Sequence, residues 1–213
     1  MRRSIRLLMG TGIAAAVALL ALVIGVTPVD AKAKTKTFSN PSPVSIPDST
    51  FGPDGFTAGF AKSNLRIRRK GKVKSVEIGM QITHPFTCEL SAGLAKGDRY
   101  IPLVGGGSCG PGLNTANFGG GTGCKGGMTT FKSRANLHLR QASNPFAGSF
   151  LTDDDEFTLQ RVRGAQLRGK WQLRVTESAP FVLRPTAPQV TSSGLATTGT
   201  IECFRVKAKY RKR

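Results

Sequence analysis

The stretch Val76-Glu77-Ile78-Gly79-Met80-Gln81-Ile82 decides the fold class. Apolar side chains at 76, 78, 80 and 82 alternate with Glu77, Gly79 and Gln81, and a period of two puts the apolar set on one buried face of a strand. The same alternation returns at Trp171, Leu173 and Val175 against Lys170, Gln172 and Arg174. It returns again at Phe204, Val206, Ala208 and Tyr210 against Arg205, Lys207 and Lys209. Beyond the first 31 residues, no stretch carries a 3.6-residue apolar pattern with caps. Short strands separated by Gly/Pro turns predict an all-β sandwich or barrel.

Working outward from these strands, the chain is 213 residues long, with 31 Lys+Arg against 12 Asp+Glu and a formal net charge of +19. That length suits one domain behind a short leader and excludes a large multidomain enzyme. Two His, four Cys and one Trp leave few candidates for catalysis. The bulk numbers favour a secreted basic binding module over an enzyme.

Residues 1–31 open with Arg2, Arg3 and Arg6 and run apolar from Leu7 to Val26, with small residues near Ala31. This is the order of an export signal, and an uncleaved membrane anchor is the alternative. In either case the basic end stays inside and the rest is delivered outside. Cleavage there takes away three Arg and one Asp, leaving +17. Residues 32–45 read as a basic Lys/Ser/Pro tether, and one β-domain fills 46–210. Inside it, residues 105–127 form an insert with 11 glycines, Cys109 and Cys124. A second irregular connection, 177–198, carries Pro180, Pro185 and Pro188.

Cys88, Cys109, Cys124 and Cys203 in an exported chain read as two disulfides, for which three connectivities exist. Local closure of the Gly-rich insert suggests Cys109–Cys124, which leaves Cys88–Cys203 by elimination. Cys203 shares parity with Arg205, so its bridge belongs on the outer face unless a bulge intervenes near Glu202. Zinc ligation by the four thiolates lacks the paired C-x2-C spacing such sites use.

Read in order, the strands resemble the P domain (P/Homo B domain) of kexin- and furin-type proprotein convertases. The pieces are residues 73–84 (VKSVEIGMQITH) leading to Glu89-Leu90, Thr129-Thr130-Phe131, and Pro145-Phe146-Ala147-Gly148-Ser149-Phe150. They continue with Gly169-Lys170-Trp171-Gln172-Leu173-Arg174-Val175, similar to the family's G-x-W-x-L-x-V, and Thr198-Gly199-Thr200-Ile201 leading to Phe204. The resemblance covers about residues 44–208. It implies a jelly-roll β-sandwich of the galactose-binding-like kind, without catalytic residues, that packs against a protease domain and supports its folding. This chain departs from the pattern in lacking a protease domain. Lys132, Ser133 and Arg134 stand where the family has an acidic pair.

Few residues suggest chemistry. His84 and His138 have structural positions, and no nucleophile-elbow sequence accompanies them, so hydrolysis is not expected. Gly105-Gly106-Gly107-Ser108-Cys109-Gly110 satisfies G-x-G-x-x-G only formally, because Pro111-Gly112 follows in place of a helix. Asp153, Asp154, Asp155 and Glu156 form the one acidic run, a calcium candidate without EF-hand spacing. No other cofactor is expected.

The basic residues carry the strongest pattern. Arg66, Arg68, Lys70, Lys72 and Lys74 recur at period two, as do Arg168, Lys170 and Arg174, and Arg205, Lys207 and Lys209. The last two sets should line solvent faces, whereas the first needs a bulge or turn between Gly71 and Ser75 to reset its parity. Such faces recruit polyanions, either acidic wall polymer or anionic lipid. No aromatic platform is interleaved with the charges, which argues against dedicated nucleic-acid recognition. The expectation is a non-catalytic module for a protein partner, with an extracellular polyanion binder as the alternative. Membrane contact is expected only if the leader is uncleaved.

Overall fold

The computed structural model describes residues 32–53, 55–106, 117–142, 145–153, 158–178 and 198–212. The chain divides into Met1–Asp30, which includes most of the expected leader and lies outside the described residues, and Ala31–Arg213, which holds the fold. Among the described residues, no helix is long and apolar enough to cross a membrane.

Twelve strands follow one another: β1 (Lys34–Asn40), β2 (Val44–Ile46), β3 (Thr50–Gly52), β4 (Gly55–Thr57), β5 (Gly59–Ile67) and β6 (Lys72–Thr83) come first. Then come β7 (Leu90–Lys96), β8 (Arg99–Val104), β9 (Thr129–Lys132), β10 (Gly148–Phe150), β11 (Gly169–Glu177) and β12 (Gly199–Arg211). A six-stranded sheet runs β1-β12-β6-β9-β10, with β2 also paired to β12, and a four-stranded sheet runs β5-β11-β7-β8. β3 and β4 make a separate hairpin. All named pairings are antiparallel except β10 with β9.

The inward residues of both sheets meet in one core. Val76, Ile78, Met80, Ile82, Phe204, Val206 and Ala208 come from one sheet, and Leu65, Ile67, Leu94, Trp171, Leu173 and Val175 from the other. Trp171 is fully buried, and its indole Nε1 donates to the Leu167 carbonyl at 2.9 Å. This is an all-β sandwich, as the alternation predicts.

Three local features depart from simple alternation. The five-cation run 66–74 is divided between the sheets: Arg66 is the penultimate residue of β5, while Lys72 and Lys74 belong to β6. Between them, Gly71 (φ +144°) lies where a Cβ would stand 2.7 Å from the Arg211 carbonyl oxygen, so the turn needs glycine there. The parity is reset as expected, because pairing jumps from Lys209–Ser75 to Tyr210–Val73 and leaves Lys74 bulged. A second bulge leaves Glu202 out of register, so that Ile201 and Phe204 both face the core. The third departure is at the start: residues 32–45 are no free tether, since β1 pairs along β12 from Lys34↔Tyr210 to Asn40↔Phe204.

The cysteine pairing differs from expectation. Cys124 is bridged to Cys203, 79 residues away. Both proposed pairs, Cys109–Cys124 and Cys88–Cys203, are therefore overturned at their shared members. Cys203 lies on the outer face, in register with Gln81, yet is fully buried. The described end of the Gly-rich segment, 117–127, is tied to that face by the bridge, and Met128 Cε lies 3.2 Å from where a Gly79 Cβ would stand. Local loop closure gave the wrong partner because this end of the segment lies against β12 and β6. Cys109 lies outside the described residues.

Candidate functional site

Two places gather side chains with chemical potential: the outer face of the four-stranded sheet and a buried cluster at one end of the sandwich.

On the sheet face, β5 presents Phe60, Lys62, Asn64 and Arg66, and β11 presents Lys170, Gln172, Arg174 and Thr176. The pairing sets Lys170 directly opposite Arg66, and Arg174 opposite Lys62. Two like-charge pairs thus face each other across one strand junction, on either side of a Gln172–Asn64 hydrogen bond of 2.7 Å. The outward positions of β7 (Ser91, Gly93, Ala95) and β8 (Tyr100, Pro102) supply no carboxylate. Directly opposed like charges cost stability, by analogy with the ~0.2–1 kcal/mol that favourable cross-strand pairs contribute.

Sequence reasoning missed two aromatic residues on this face. Phe60 is 44% exposed with Lys62 Nζ 4.7 Å from its ring centroid. Tyr100 is 50% exposed, and its ring lies over Gly93, where a Cβ would meet it at 2.3 Å. Period-two parity on β5 and β8 is the signal that would have placed both among the outward cations. Lys62 was missed for a similar reason, because the charge run was read from Arg66 onward.

The remaining basic candidates are dispersed. Arg68 and Lys70 line an open hollow with Lys36, Phe38, Arg69 and Lys212. Lys74 and Lys209 flank another with Glu77, Lys132 and Arg163. Lys207 is partly neutralised by Glu77, its Nζ donating to both carboxylate oxygens at 3.2 Å, and Arg205 lies beside that pair. Arg168 is exposed just before β11, its carbonyl accepting a 3.0 Å hydrogen bond from Lys96 Nζ. Lys96 also lies 5.2 Å from the Trp171 ring centroid, and burial holds its amine below the usual range.

Of the acidic run, Asp153 is described, and its Oδ2 accepts the Gly105 backbone N–H at 2.7 Å. Asp154, Asp155 and Glu156 lie outside the described residues.

The buried cluster sits where three elements end together. His84 follows the last residue of β6, Glu89 closes a 3-10 turn (Thr87–Glu89) that leads into β7, and Glu177 is the last residue of β11. One ligand atom from each lies within 4.8 Å of the others. Glu177 Oε2 accepts the Ser49 backbone N–H at 2.5 Å, while Oε1 stands 4.0 Å from His84 Nε2. Burial pushes Glu89 up to about 7, helped by the neighbouring Glu177 carboxylate, with which it shares a hydrogen bond. Burial also raises Glu177 and lowers His84. Among the described residues, no Lys or Arg forms an ion pair with any of these groups. Sequence reading left this cluster unassembled, because its members are spread over 94 residues and His84 and Glu89 drew notice only separately. His138, the other histidine, opens a 3-10 turn in which its backbone N–H donates to Gln141 Oε1 at 3.1 Å.

No protein-family model matches the sequence, and no curated protein does. Among solved structures, the fold is similar to a serine protease of Aeromonas sobria, at 12% identity and a TM-score of 0.38, over 83% of this chain and 27% of that one. It is similar to the same protease in complex with its chaperone ORF2, at 13% identity and a TM-score of 0.37, over 84% and 28% of the two chains. The chain spans about a quarter of the length of these proteins, and a likeness this low carries no argument about function.

Proposed function

We propose that this chain is an exported, non-catalytic β-sandwich of the P/Homo B kind that works as an interaction module. Its working surface is the outer face of the four-stranded sheet, and its partner is a protein with an acidic surface, a protease-associated one in keeping with the sequence resemblance. The observation that carries this reading is the pair of like-charge oppositions, Lys170–Arg66 and Arg174–Lys62. Protection of an edge strand accounts for cations on β5, which is the edge. It does not account for Arg174 on β11, which is paired with both β5 and β7 at that position. A sheet that opposes like charges, none of them in an ion pair among the described residues, is suited to an anionic partner. Phe60 and Tyr100 add apolar area at the margins of the same face, as protein interfaces commonly have.

A second reading, adhesion to an acidic envelope polymer, uses the same cations and is favoured by the further basic hollows along the other sheet. Salt separates the two. The immobilised protein is challenged in parallel with the culture fluid of the exporting cell and with polyphosphate. Retention of a specific protein that survives moderate salt supports the module. Retention of polymer alone, falling steeply with salt, supports adhesion. Retention of neither overturns both.

A further inference from the structure

We propose that His84, Glu89 and Glu177 form a binding site for a divalent transition metal of the zinc type. The proposal is independent of the interaction surface, which lies on outward-facing side chains of β5 and β11.

Three observations converge on it. The first is the donor set: one imidazole and two carboxylates offer atoms that all lie within 4.8 Å of one another. A tetrahedral ion with bonds of about 2.0–2.1 Å holds its ligand atoms roughly 3.4 Å apart, so the 4.0 Å between His84 Nε2 and Glu177 Oε1 needs only slight closure.

The second is that His84 is 2% exposed, yet its Nε2 is buried without a hydrogen-bond partner and faces Glu177. Buried polar atoms in a native fold are normally satisfied, and one that stands 4.0 Å from a carboxylate oxygen without bonding to it suits a ligand between them. The other ring nitrogen is held by Phe86, whose carbonyl oxygen lies 2.9 Å and whose backbone nitrogen lies 3.0 Å from Nδ1. In the tautomer that donates Nδ1–H to that carbonyl, the Nε2 lone pair is directed at the cluster, the usual outer arrangement of a metal-bound histidine.

The third is charge. In a chain of net +19, Glu89, Glu177 and Asp48 lie close enough to act on one another electrostatically. Among the described residues none of them has a Lys or Arg partner. Asp48 Oδ1 is likewise buried without a hydrogen-bond partner. The imidazole favours zinc-type ions over calcium, which takes six to eight oxygens.

The surroundings hold the donors in place. A Cβ at Gly199 would stand 2.3 Å from His84 Cδ2, and one at Gly59 would stand 3.0 Å from Glu177 Oε2. A bound ion would fasten the end of β6 in one sheet to β7 and β11 in the other, closing one end of the sandwich.

The test uses untagged, chelator-treated protein titrated with Zn²⁺ in a competitive chromophore assay, and with Co²⁺ followed by its visible spectrum. Binding of one Zn²⁺ per chain with a tetrahedral-type Co²⁺ spectrum is expected. Glu89→Gln, which keeps the shape and loses the charge, should weaken Zn²⁺ binding at least tenfold, as should His84→Gln. Asp153→Asn should leave it unchanged. Should either cluster variant fail to fold, the other still decides the matter, and both are checked by circular dichroism. Absence of saturable binding to the wild-type protein at micromolar metal, or equal binding by Glu89→Gln, overturns the proposal. Preferential uptake of Ca²⁺ over Zn²⁺ overturns the assignment to the zinc class.

Discussion

Replacing Cys124 with alanine should remove a large share of the sandwich's stability. The bridge from Cys124 to Cys203 closes a loop spanning 79 positions, which contains β9, β10 and β11. Constraining a loop of that length removes roughly 15 cal/mol/K from the unfolded chain, an upper figure of about 4.5 kcal/mol at 25 °C. Measured effects commonly fall at ~2–4 kcal/mol because the unfolded state is not a random coil. Local losses are small by comparison: Cys124 is half-buried, and the Cys203 thiol left behind sits in a dry pocket that suits it. Urea denaturation of oxidised wild type and Cys124→Ala, followed by Trp171 fluorescence, should show a fall of ~2–4 kcal/mol. Non-reducing peptide mapping should yield a fragment joining the Cys124 and Cys203 peptides. A fall below about 1 kcal/mol, or a Cys124 peptide joined to that of Cys109 or Cys88, would refute the reasoning.

Trp171→Ala empties the centre of the core and removes the hydrogen bond to Leu167, so it should cost ~3–5 kcal/mol in the same denaturation assay. A cost under about 1 kcal/mol would mean that β11 presents its other face inward. Gly199→Ala drives a methyl against the His84 ring at 2.3 Å and should cost ~1–3 kcal/mol, and an unchanged midpoint would contradict the close packing there. In chelator-containing buffer, stability should depend on pH through Glu89, whose carboxyl rises from an ordinary 4.5 to about 7, chiefly through burial. The folded chain then keeps a proton that the unfolded chain releases. The stability it contributes is complete below 4.5 and is lost as pH climbs through 7. Glu89→Gln should flatten the pH dependence between those values, and an identical pH profile in wild type and variant would count against the shift.

The sandwich was legible because strand parity is a strong local signal wherever one face is buried. Val76 to Ile82, Trp171 to Val175 and Phe204 to Tyr210 all form strands with the expected face inward. Even the bulge near Lys74 was forced by the clash between the parity of the cations and that of Val76. The disulfide was not legible, since nothing local tells Cys124 that its end of the Gly-rich segment will lie against Cys203. Strand β1 was hidden by composition. Lys34 and Lys36 on an edge strand resemble a solvated tether, and only the pairing with β12 distinguishes the two. The opposed cations were half visible: parity put Lys170 and Arg174 on the outside, but register alone shows which residues face them. The His84 cluster escaped because its parts meet only when the ends of β6 and β11 and the start of β7 come together.

The central claim is that the cationic face of β5 and β11 is where this module binds. The most direct test is the double variant Lys62→Glu, Arg66→Glu, which changes two exposed positions and sets a carboxylate opposite each of Arg174 and Lys170. Relief of like-charge repulsion should leave the fold as stable as before or more so, by ~0.2–1 kcal/mol per pair at low salt. Retention of the acidic protein partner, and of polyphosphate as a reference anion, should fall at least tenfold. A folded variant that retains both as well as the wild type does would contradict the account.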